Sequence, residues 1–196
     1  MGLSRLRVTA ASLIAAAWLA GCGGPGSDAS RTAPQVAPEP RPASIPGAGL
    51  GAPVQGDAQV LGMLAAFEQN EIDLARQALE RHLGGDGENF AKQMLRDHER
   101  ALADVQQLSP EQSEQSAALR ARGQARVASV GLEEDLNAYR NAFLKAAVAD
   151  YSDALKLMDA QWLPVAQSEQ TRAYLAGARK RLAHAYERAQ AVVSTR

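Results

Sequence analysis

The stretch FAKQMLRDHERAL, residues 90–102, returns 53 residues later as FLKAAVADYSDAL, residues 143–155. Phe, Lys, Asp, Ala and Leu recur at identical internal spacings, and one polar position changes: His98 of the first copy is Tyr151 in the second. Read at the period of an α-helix, Ala91, Met94, His98, Ala101, Val105 and Leu108 form one seam. Leu144, Val148, Tyr151, Leu155 and Met158 form the other. Each helix thus aims an imidazole or a phenol at a partner helix. This predicts one bundle with a shared polar layer, and the layer is where a site is expected.

Working outward, Asp57 is the expected cap of a first helix over residues 57–82, with Val60, Leu64, Phe67, Leu74 and Ala78 as its stripe and Gly84 and Gly85 as its stop. Glu71 falls inside that stripe. Asp86 is the expected cap of a second helix reaching about Leu108. Ser109, Pro110 and Glu111 then read as the start of a polar crossover that ends near Gly131. A third helix is expected over residues 132–162, closed by Pro164. A fourth begins at Ser168 and turns Leu175, Ala178, Leu182, Ala185, Ala189 and Val192 to the core.

The composition agrees: 46% hydrophobic residues with only 5% aromatic suits closely packed, Ala-rich helices, and the β-branched runs of strands are missing. The predicted fold is all-α, a four-helix bundle over residues 57–196. Short turns make the first and second helices antiparallel, and likewise the third and fourth. The 23 residues between the second and third helices let the chain climb back along the bundle as a partly helical crossover, so these two helices run parallel. His98 and Tyr151 then share one height. Counting from the Gly84/Gly85 turn places Glu71 level with His98. Counting from Pro164 places Tyr151 level with Lys180 or Arg181, with His184 about one turn away.

Ahead of the bundle, Arg5 and Arg7 precede an apolar run, residues 8–20, that is too short for a stable membrane span and reads as an export signal over residues 1–21. Leu19, Ala20, Gly21 and Cys22 resemble the lipobox of bacterial lipoproteins, which implies acylation of Cys22 and durable attachment to a membrane. Gly23 in place of Asp resembles the signal for sorting to the outer membrane, facing the periplasm. Cys22 is the only cysteine, so no intrachain disulfide is possible. Seven of the nine prolines fall in residues 23–56, which reads as a disordered tether of residues 22–56 able to span on the order of 100 Å when extended.

The polar positions also carry a resemblance. Residues 89–102 with Asp97 and His98, and residues 139–155 with Asp150 and Tyr151, resemble the exported bacterial four-helix domains of unknown function that belong to the ferritin-like group and carry repeated Asp-His motifs. Glu71 and His184 fall where that family tends to place a Glu and a His. The resemblance implies a ferritin-like bundle and export, with no established activity. The second Asp-His of that pattern is Asp150-Tyr151 here, and Tyr139-Arg140 stands where an aromatic-Asp pair is expected.

No cofactor is expected. The layer reads as hydrogen-bonded, with Glu71 accepting from His98 and Asp150 pairing with Arg181 or a neighbouring side chain. The alternative is a metal site for iron, manganese or zinc built from Glu71, Asp97, His98, Asp150 and His184. The di-iron pattern of a Glu three residues before a His on two helices is not present, because Leu95 and Arg181 occupy those places. Without residues 1–21 the chain carries 19 basic against 22 acidic residues, which argues against nucleic acid as a partner. Arg120, Arg122 and Arg126 read as a solvated face, with contact to an anionic envelope polymer or protein as the alternative. His82 reads as a charge on a helix dipole, and Trp162 as a side chain packed over a helix end. Three histidines with no nucleophile beside one give no catalytic constellation.

Overall fold

The computed structural model describes residues 54–195, and every regular element among them is helical. The export signal, Cys22 and the tether as far as residue 53 lie outside the described residues. Five long helices carry the fold: α1 (Gly56–Glu80), α2 (Gly85–Gln106), α3 (Glu114–Gly131), α4 (Leu136–Leu157) and α6 (Glu169–Ser194). A π-helical turn at Met158–Trp162 and the three-residue α5 (Leu163–Val165) join α4 to α6. None of the described helices is long and apolar enough to cross a membrane.

The bundle proper is α1, α2, α4 and α6, because α1 packs on α2 and α4, and α6 packs on α4 and α2. The two copies of the repeat thus occupy a diagonal and meet through side chains across the core. They run the same way: Phe90 and Phe143 approach at 5.9 Å between ring centroids, and eight residues further on in both helices His98 meets Tyr151. The expected seams are inside, with Ala91, Met94, His98, Ala101 and Val105 buried on α2, and Leu144, Tyr151 and Met158 buried along the second copy.

The helix ends depart from expectation in instructive ways. Asp57 does not cap its own helix, whose N-cap is Gln55; its carboxylate instead accepts from the backbone N–H groups of Gln167 at 2.6 Å and Ser168 at 3.0 Å, at the start of α6. Hydrogen bonds from Ser168 and Gln167 hold the Asp57 carboxyl down at about 2. Val54, assigned above to the tether, is buried in the core. Gly84 rather than Asp86 is the N-cap of α2, and Gly84 and Gly85 both have positive φ, which a side chain would resist. Ser168 does cap α6, accepting from Thr171 N–H.

The crossover is a full helix, and it starts later than Ser109. That residue takes a left-handed φ of 55°, the chain passes over α1, and α3 begins at Glu114 with Ser113 and Ser116 forming a capping box. At the pass, Glu111 N–H donates to the Ala58 carbonyl at 2.9 Å, and a Cβ on Gly62 would overlap the Glu111 carbonyl oxygen. Gly123 of α3 lies as closely against the Asn70 side chain of α1. Glycine at both crossings lets α3 lie down over the seam of α1 and α4. At the other end, Pro164 cannot donate to the carbonyl four residues back, and the π-turn before it widens the helix where that bond is lost. Trp162 in this turn is fully buried in the core.

Substituting Gly62→Ala is expected to cost about 1–3 kcal/mol in urea unfolding, since one methyl meets backbone that cannot move independently. Gly177→Ala on α6, where the nearest atom is the flexible end of Arg181, should instead gain about 0.5–1 kcal/mol.

Candidate functional site

At mid-height the core is polar on purpose of register: His98 of α2, Tyr151 of α4 and Glu68 of α1 meet, all three almost completely buried. The Nε2 of His98 lies 2.9 Å from the Tyr151 hydroxyl, and its Nδ1 is hydrogen-bonded to Glu68 Oε2. Phe67 meets both rings edge-on, at 5.9 Å from His98 and 6.3 Å from Tyr151, while those two rings stack at 5.7 Å. Burial, reinforced by the nearby Glu71 and Glu68 carboxyls, pushes the Tyr151 phenol well above its ordinary value, so it keeps its proton. That hydroxyl has no other acceptor among the described residues and therefore donates to Nε2. The network assigns the remaining imidazole proton to Nδ1, which donates to Glu68. The layer is a directional relay, Tyr151 to His98 to Glu68.

This corrects the expected partner of His98, which is Glu68 and not Glu71. Measured from the observed helix ends, Glu68 lies twelve residues before Glu80 and His98 thirteen after Gly85, so these two are level. Counting from the turn glycines missed this, because residues 81–84 belong to neither helix.

Glu71 faces the other way, toward the underside of α3. It is fully buried beside Asp150, its Oε2 has no hydrogen-bond partner among the described residues, and Asp150 pairs with Arg126 of α3 at 3.1 Å. Arg181, the expected partner of Asp150, instead lies over the Tyr174 ring at 5.4 Å. Arg126 is thus not part of a solvated face, and neither is Arg120, which donates to Asp73 at 2.8 Å and to Asn70. Burial raises Glu71 well above its ordinary value, and the charges of Asp150 and Glu68 add to this against the opposing pull of Arg126. Burial likewise lifts Asp150 from 3.8 to about 6. The two carboxyls share a cavity of about 50 Å³ with Trp162, whose indole N–H also has no partner among the described residues.

The other members of the expected set lie on the surface. Asp97 forms an exposed ion pair with Arg188 at 2.9 Å, and His184 is exposed, 3.5 Å from Glu187. Glu71, Asp97, His98, Asp150 and His184 are therefore not brought to one point, and among the described residues no three His, Cys, Asp or Glu side chains are placed to hold one metal ion. His82, just past the end of α1, is exposed with a left-handed φ of 51°.

Between α2 and α6 the bundle opens into a cleft of about 490 Å³. Ala101 of α2 and Ala178, Leu182 and Ala185 of α6 form its apolar walls, and Glu68 and His98 line it from the core side. The short side chains of the alanines leave this gap where longer ones would close it.

The model for a domain of unknown function, DUF4142, matches residues 44–192. The chain belongs to this family. No curated protein and no solved structure matches it. In this DUF4142 domain the match begins before residue 54, so the family unit takes in chain that the periodicity assigned to the tether. Glu68 was legible only as a second acid one turn before Glu71, and the cleft only as the alanines of the two facing stripes.

His98→Ala is expected to cost about 3 kcal/mol in urea unfolding, because it strands the buried Glu68, whereas Tyr151→Phe should cost about 1 kcal/mol. The carboxyls under α3 set a pH dependence of known sign. Their folded values are raised, so their contribution is complete at low pH and is lost as pH rises; for Asp150 the window is 3.8 to about 6, worth at most roughly 3 kcal/mol, and Glu71 extends the loss upward. Urea melts at about pH 5 and about pH 8 should show a smaller fall for Glu71→Gln than for the native chain.

Proposed function

We propose that this protein is an exported lipoprotein of the cell envelope, held on the outer membrane through acylated Cys22 and carrying its helical bundle on a tether as a binding module. The anchor is supported by Arg5 and Arg7, the short apolar run and the Leu19-Ala20-Gly21-Cys22 sequence. The binding role rests on one observation: a cleft of about 490 Å³, within the size range of ligand sites, has apolar walls and a buried ionisable pair at its inner side. The relay gives both nitrogens of His98 a partner, which suits a floor that receives a ligand without reacting with it.

Two measurements test this. Cys22→Ser should leave uncleaved or mislocalised precursor, and unchanged membrane fractionation would refute the anchor. Residues 22–196 carrying Cys22→Ser should take up the uncharged dye Nile red with increased fluorescence, and Ala185→Leu should suppress uptake while helix content and melting temperature are kept. Equal uptake by both forms would count against the cleft.

A further inference from the structure

The charges around the cleft between α2 and α6 say which kind of head group it takes. Arg100, Arg181 and Arg188 line the rim together with Asp97, Asp104 and Glu187, three positive side chains against three negative ones. What is left is the floor. There the Tyr151 hydroxyl donates to His98 and His98 donates to Glu68, so the chain of donors ends on the Glu68 carboxylate. Glu68 is almost entirely buried and receives one hydrogen bond, from His98, while a carboxylate has room for several more. Next to it, Ala101, Ala178, Leu182 and Ala185 offer apolar surface and no polar side chain.

We infer that the cleft binds a small aliphatic amine, with the ammonium group donating to Glu68 and the hydrocarbon body lying along the alanine and leucine walls. The inference rests on the reading of the cleft as a binding site. A carboxylate ligand would set a second acceptor against Glu68 with no donor to give it, and an alcohol could give it one hydrogen bond where an ammonium group has three. On the rim, Arg188 donates through one terminal nitrogen to Asp97 at 2.9 Å while its buried Nε has no partner among the described residues, and Arg181 lies over the Tyr174 ring.

The test uses residues 22–196 with Cys22→Ser and three probes of equal length, hexylamine, hexanol and hexanoate, in displacement of Nile red and in calorimetric titration near pH 7. Hexylamine is expected to bind at least about ten-fold more tightly than hexanoate, with hexanol between them. Glu68→Gln, which still accepts from His98, should erase the preference, with circular dichroism as the check that it is folded. Hexanoate binding as well as hexylamine, or none of the three displacing a dye that is taken up, overturns the inference while the cleft stands. Absence of dye uptake by the native sequence overturns the binding reading itself.

Discussion

The contact between His98 and Tyr151 across the bundle diagonal fixes the architecture. An imidazole in the core needs a partner for each ring nitrogen, and only one arrangement of helices supplies Tyr151 and Glu68 on opposite sides of the ring. A slip of α4 by one turn would put Val148 or Leu155 opposite Nε2 and leave a buried acceptor unpaired. Phe90 and Phe143, whose rings meet at an interplanar angle of 55°, set the same register by shape alone. Hydrogen bonding and packing therefore specify one alignment, and neither has to do so unaided.

Parallel helices on a diagonal require the chain to travel the length of the bundle between them, and α3 is that passage, about 27 Å of helix. Its attachment to α1 is backbone-close at Gly62 and Gly123 and polar at Asn70, Asp73 and Arg120. Because α3 covers the seam of α1 and α4, that side of the core is closed over Glu71, Asp150 and Trp162. The opposite side, where α2 and α6 meet through alanines, has no such cover among the described residues. The same topology thus produces one sealed and one open polar region.

The sequence made the larger features readable because they are periodic. The doubled stretch announced two parallel helices and an inward His98 and Tyr151, and loop lengths announced the crossover. What failed depended on quantities that periodicity does not carry. Glu71 and Glu68 are both on the inner half of α1, and choosing between them needed the number of residues consumed by the turn. Asp97 and His184 are polar residues in helical contexts like that of His98, and only the rotation of each helix decides that they face water. Asp57 and Ser109 look like local signals for helix starts, yet one is used across the chain by α6 and the other bends backbone over α1. Local capping preference gave way to tertiary geometry at both.

The clasp of Asp57 on Gln167 and Ser168 also has a mechanical meaning. Chain arriving at Val54 enters the bundle beside the turn that leads into α6, so tension applied from that direction falls first on the two N–H bonds to this exposed carboxylate. A carboxyl held at about 2 stays ionised through ordinary acidification, which keeps the fastening shut under conditions where a free aspartate would begin to let go. The amino-terminal turn of α1 is in this way sewn to the last helix, and strain from outside is passed to the farthest segment in sequence before it reaches the relay in the core.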